Sequence, residues 1–155
     1  MDIKDIMVEK VVCVDSSATV KDAACLMNLH DIGCLVVTNN SSNVAGIVTE
    51  RDILKRVVAQ SRDANKTKVS EIMSKPIIKG GPDMYVEDAT KLMLSKNIKK
   101  LPIMKHDKII GIVTFSDIAR TANIEPRIAK AVEELKKDGW LPSQKMEKVV
   151  DFYIA

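Results

Sequence analysis

Aromatic residues are nearly absent from this chain. One Trp, two Tyr and two Phe make up 3% of its 155 residues. A core must therefore be built from Ile, Val, Leu, Met and Ala, and few rings remain on which single-stranded bases could stack. Cysteine is scarce as well. Cys13, Cys25 and Cys34 are odd in number and form no Cys-x-x-Cys pair, which argues against a disulfide framework and against a zinc site. They read as small apolar side chains in a reducing compartment. No apolar run approaches the roughly 20 residues that span a membrane. The opening Met-Asp-Ile-Lys-Asp-Ile has no basic stretch ahead of an apolar one, so no secretory signal is expected. A dominant charge is missing too: the formal net charge is +3, too small to mark a dedicated nucleic-acid or membrane binder. The two histidines, His30 and His106, are far apart and have no metal-ligating neighbours in sequence. No nucleophile–base pair and no phosphate-loop lysine motif is present. The expectation is a soluble, cytoplasmic protein that is not an enzyme, with no catalytic residue, metal or cofactor.

What the chain does contain is a repeat. Ile6-Met7 recurs as Ile72-Met73, and the same offset of 66 carries Val20 to Val86, Asp22 to Asp88, Leu26-Met27 to Leu92-Met93 and Leu35 to Leu101. One residue then drops out near Ser41-Ser42. At offset 65, Gly46-Ile47-Val48-Thr49 becomes Gly111-Ile112-Val113-Thr114, and Asp52-Ile53 becomes Asp117-Ile118. A register kept across the whole unit, with one indel in a polar turn, marks a duplicated structural unit.

Each copy reads as βαββα, so the fold class is α+β. Val11 to Val14 is a short β-branched strand. Thr19 and Asp22 have the spacing of a capping box, and Ala23, Leu26, Met27 and His30 follow at helical spacing. Gly33 is expected to end that helix. Leu35 to Val37 and Val44 to Val48 are strands joined by a polar turn. Thr49-Glu50-Arg51-Asp52 is a second capping box, expected to open a helix over residues 53–59. The second copy repeats this with Ile77-Ile78, Val86 to Lys96, Leu101 to Ile103, Ile109 to Val113 and Asp117 to Thr121, although Tyr85 replaces the Thr cap. The predicted organisation is repeat 1 over residues 1–60, a linker over 61–68, repeat 2 over 69–121 and a C-terminal helical extension over 122–155. One copy alone has too little core to be stable, so the two should pack about a pseudo-twofold axis.

Two regions fall outside the repeat signal. Lys99, Lys100, Lys105 and Lys108 surround the second copy's middle strand, with His106 in its turn. They read either as a solvated basic face or as a phosphate funnel. In the tail, Glu125-Pro126 opens a helix whose apolar stripe includes Ile128, Val132 and Leu135, and Gly139 stops it. Ser143 then caps a final helix carrying Met146, Val149, Val150 and Tyr153. Both stripes would pack on the repeats, on a second subunit or on a partner, with Trp140 at the joint.

An Ile-Met start, a Thr-Val-x-Asp-Ala helix opening, an Ile-x-x-Leu strand and Gly-Ile-Val-Thr-x-x-Asp-Ile, repeated in register over about residues 3–121, resemble a tandem cystathionine-β-synthase-type (CBS) domain pair. The chain is similar to stand-alone archaeal and bacterial CBS modules, to energy-sensing subunits of AMP-activated kinases and to the regulatory inserts of inosine-monophosphate dehydrogenases. The resemblance implies adenosine ligands (AMP, ADP, ATP or S-adenosylmethionine-like) in clefts between the copies. It places Thr49 and Asp52 at one cleft and Thr114 and Asp117 at the other, contacting ribose and phosphate. Arg51 and Ser116 stand just before the Asp, a position that contacts phosphate in the family, and Lys100 is nearest the family's ligand position. It also implies a homodimer and a regulated protein partner of unknown identity, with no membrane or nucleic-acid role. Each Thr-x-x-Asp sits where a strand meets a helix N-terminus, which favours a phosphate. The same four residues are also sufficient as two capping boxes in a ligand-free oligomerisation scaffold.

Overall fold

The computed structural model describes residues 1–40 and 43–122, together with Lys130 and Glu133. The two tail helices and the Trp140 joint lie outside the described residues. In the first copy, β1 (Cys13–Asp15) is followed by α1 (Val20–His30), β2 (Cys34–Thr38), β3 (Val44–Thr49) and α2 (Glu50–Ile53). β1 runs parallel to β2, and β3 is antiparallel to it, with Val36 opposite Ile47. In the second copy, α3 (Val69–Ile72) and α4 (Val86–Ser95) precede the hairpin β4 (Lys100–Lys105) and β5 (Lys108–Thr114), which leads into α5 (Phe115–Ala122).

Three local expectations need correction. First, α1 is not closed by Gly33: Asp31 takes the left-handed conformation at φ 51°, and its counterpart Asn97 does so after α4 at φ 53°. Short polar side chains tolerate that region. Second, the helix after Thr49 begins at Glu50 rather than Ile53, and after one turn it widens into a π-helical segment, Leu54–Val58. That segment turns Val57 inward and leaves Leu54 and Val58 exposed. Third, Ile77-Ile78 forms no strand. The segment's backbone meets the hairpin at Gly80, whose N–H donates to the Pro102 carbonyl at 2.9 Å and whose carbonyl accepts from Met104 N–H at 2.9 Å. Pro76 and Pro82 bracket the stretch and have no N–H for a ladder.

The two copies are tied by an exchange of their opening segments. Val69 and Ile72, which begin the second copy, are fully buried in the first copy's apolar cluster with Val20, Met27, Leu35 and Val48. Ile3, which begins the first copy, is fully buried in the second copy's cluster with Val86, Met93, Leu101 and Ile118. The backbone follows the same rule at equivalent positions. Lys68 bridges Thr19 while Asp2 bridges Tyr85, and Ser74 bridges Ile47 while Val8 bridges Ile112. The first N–H of α1 donates to the Thr67 carbonyl at 2.9 Å, and that of α4 donates to the Met1 carbonyl at 3.1 Å. α4 has no side-chain cap at Tyr85, whereas at α1 the Thr19 hydroxyl accepts from Asp22 N–H. Each cluster therefore needs the other copy's chain, the physical content of the pseudo-twofold relation.

Glycine permits the crossings. A Cβ on Gly46 would stand 2.7 Å from the Ser74 carbonyl oxygen, and one on Gly111 would meet the Met7 side chain and the Val8 carbonyl. Gly46 is thus required by the neighbouring copy's backbone, whereas Gly111 is crowded first by a side chain.

Candidate functional site

Both Thr-x-x-Asp stretches form closed capping boxes. Thr49 ends β3 in an extended conformation, so its side chain faces the first turn of α2. Its N–H and hydroxyl donate to Asp52 Oδ2 at 2.9 and 3.1 Å, and Asp52 N–H donates to Thr49 Oγ1 at 3.2 Å. Thr114 and Asp117 repeat the pattern at 2.8, 2.7 and 3.3 Å. In each box Oδ2 is used internally, leaving Oδ1 to face outward. Asp52 Oδ1 accepts from Ser74 Oγ at 3.4 Å and lies 3.8 Å from Arg56 Nη1. Asp117 Oδ1 accepts from Arg120 Nη2 at 2.5 Å. Asp52 is only partly buried, whereas Asp117 is buried.

Each box opens on a cavity whose opposite wall comes from the other copy. Thr49, Arg51 and Asp52 line a cavity of 260 Å³ closed by Asn97, Ile98, Lys99 and Lys100. Thr114 and Asp117 line one of 320 Å³ closed by Asp31, Ile32, Gly33 and Cys34, with Lys10 and Arg120 at its edge. The two walls are the same stretch of the repeat, 31–34 and 97–100. The volumes lie near the lower end of the range for small-ligand pockets, roughly 300 Å³ and upward.

Lys100 lines both cavities. Ser116 lines neither and is exposed on α5. Lys105 and Lys108 pair with each other at the far end of the β4–β5 hairpin, away from both clefts, so only Lys99 and Lys100 of the basic cluster reach a cavity. Sequence reasoning missed the walls at residues 31–34 and 97–98, and it missed Ser74, Arg56 and Arg120. The 66-residue offset held part of that signal, because it equates Cys34 with Lys100. What it could not show is that each stretch faces the other copy's box.

Cys34 lines the Thr114/Asp117 cleft. Burial pushes its thiol above the ordinary range, the charge of Lys100 partly opposes this, and Glu50 reinforces it. Among the described residues no group of three or more His, Cys, Asp or Glu could hold a metal ion, and no helix is long and apolar enough to cross a membrane.

A duplicated α+β unit, exchanged opening segments and two clefts between copies define a tandem-repeat protein with its cavities at the repeat interface. The chain belongs to the CBS domain family, which it matches twice, over residues 3–59 and 69–123. It is 39% identical over 117 residues to the CBS domain-containing protein YhcV of Bacillus subtilis, covering 76% of this chain and 82% of that one. Among solved structures it is similar to the CBS domain pair of protein MJ0100 in complex with 5′-methylthioadenosine and S-adenosyl-L-methionine. That match has 29% identity and a TM-score of 0.72, covering 79% of this chain and 96% of the other. A hexameric CBS-CP12 protein from bloom-forming cyanobacteria matches with 30% identity and a TM-score of 0.74, covering 89% and 83%.

Proposed function

We propose that this chain is a regulatory module that binds adenosine-containing ligands, such as AMP, ADP, ATP or S-adenosylmethionine, in its inter-repeat clefts and signals to a partner protein. The observation that carries this reading is the composition of each cleft: Thr and Asp from one copy face residues 97–100 or 31–34 of the other. A ligand there would bridge the two copies, so its binding energy would bear on how they sit together. The outward Oδ1 of each Asp is an acceptor for ribose hydroxyls, and the helix N-terminus beside it favours phosphate. The complex of MJ0100 with two adenosine compounds supports the ligand class. Among the described residues lining the clefts none pairs a nucleophile with a base, which favours sensing over catalysis.

The test is a thermal-shift panel of AMP, ADP, ATP, S-adenosylmethionine and adenosine. A ligand that binds only the native state raises the midpoint in a concentration-dependent way. No shift with any member would count against the ligand reading and favour a ligand-free oligomerisation scaffold. That second reading draws on the exposed Leu29, Leu54 and Val58 and on both capping boxes being complete without a ligand. Under either reading we expect a homodimer. Light scattering that gives the 17.1 kDa of one chain at all micromolar concentrations, with and without nucleotide, would exclude it.

A further inference from the structure

The two clefts are related by the repeat, yet their linings differ at the wall between them. Cys34 and Lys100 hold equivalent places: Cys34 is opposite Thr49 in the first copy's ladder, and Lys100 is opposite Thr114 in the second. The short Cys34 lines only the Thr114/Asp117 cleft, whereas the long Lys100 lines both. The space that lets it do so is the missing side chain of Gly33. A Cβ there would stand 2.9 Å from Lys100 Nζ and 2.7 Å from Glu50 Oε1, so the ammonium and the carboxylate converge on the wall between the cavities. The equivalents of Gly33 and Glu50 are Lys99 and Phe115, so no second copy of this arrangement exists.

We propose that Lys100 is shared by the two clefts and makes them antagonistic toward anionic ligands. The proposal rests on the adenosine-ligand reading above. One ammonium on a flexible stem can pair closely with one phosphate at a time. A phosphate that draws it from the Glu50–Gly33 wall into the Thr49/Asp52 cleft removes it from the Thr114/Asp117 cleft, and the reverse holds equally. Linkage makes the penalty reciprocal. A ligand without phosphate makes no demand on Lys100, so its two binding steps are independent.

Calorimetric titration of the full chain with AMP and with adenosine tests this. Asp52→Ala and Asp117→Ala each leave one cleft working and so report the intrinsic affinity of the other. The expected result is that the second AMP binds wild type about tenfold more weakly than it binds the same cleft in the single-cleft variant. Adenosine shows no such gap. Lys100→Met, which keeps the aliphatic stem, weakens the first AMP step and abolishes the gap, and a wild-type melting profile establishes that it is folded. Wild-type AMP steps equal to those of the single-cleft variants overturn the sharing of Lys100 and leave the ligand reading intact. So does an antagonism that survives in Lys100→Met. If wild type takes a single AMP, the sharing stands only if the vacant cleft fills once the occupied one is disabled. If neither AMP nor adenosine binds any folded variant, the ligand reading falls and takes this proposal with it.

Discussion

Gly46 lies directly against the Ser74 carbonyl, 2.7 Å from where a Cβ would be. Ser74 belongs to the other copy's opening segment, and it exchanges backbone hydrogen bonds of 3.2 and 2.8 Å with Ile47. Gly46→Ala therefore pushes two backbones apart, and we expect it to destabilise the fold by about 1–3 kcal/mol. At the equivalent Gly111 the nearest obstacle is the flexible Met7 side chain, which can move aside. Urea unfolding should rank Gly46→Ala as the more damaging change, and the opposite ranking would show that the crossing at Ser74 has slack.

Ile3 and Ile72 stand at equivalent places, yet each serves the opposite copy's core. Truncating either to Ala leaves a cavity and should cost about 2–5 kcal/mol. The location of the effect is the sharper test. In hydrogen exchange, Ile3→Ala should loosen β4 and β5, and Ile72→Ala should loosen the β1–β3 sheet. If Ile3→Ala loosened its own copy's sheet first, the exchanged cores would not be the cooperative units.

For the sites, Asp52→Ala and Asp117→Ala should each remove one adenosine-ligand interaction. Losing a charge-assisted hydrogen bond to ribose costs about 1.5–3 kcal/mol of binding, while losing a cap costs about 1 kcal/mol of stability. Titration separates the two. Wild-type affinity with lowered stability in both variants would leave these residues as caps alone.

Cys34 offers a pH-dependent probe of the wall. Burial disfavours its thiolate, so its reaction with iodoacetamide should be slower than that of the exposed Cys25 and should rise only at higher pH than an ordinary thiol. Lys100→Met removes the positive charge that opposes this shift, so it should move the Cys34 profile further upward. Peptide mass spectrometry resolves the three cysteines. An unmoved or lowered profile in that variant would mean that the ammonium does not rest beside Cys34.

The sequence alone determined the unit and its periodicity. Apolar spacing, β-branched runs and Thr caps act between residues a few positions apart, and they placed α1, β2, β3 and the hairpin β4–β5 within a residue or two. The offsets of 66 and 65 identified the duplication and named both Thr-x-x-Asp boxes. Errors arose where neighbours in space overrode neighbours in sequence. Gly33 looked like a helix stop because glycine usually is one, but its missing side chain makes room for Glu50 and Lys100. Ile77-Ile78 looked like a strand, but it is bracketed by prolines and its backbone bridges the hairpin at Gly80 alone. Only the tertiary structure decided that Val69 and Ile72 complete the first copy's core and Ile3 the second's, because burial depends on which chain crosses a surface. The same crossing decided that each Thr-x-x-Asp faces the other copy's 31–34 or 97–100 stretch, and that Lys100 reaches both clefts while Cys34 reaches one.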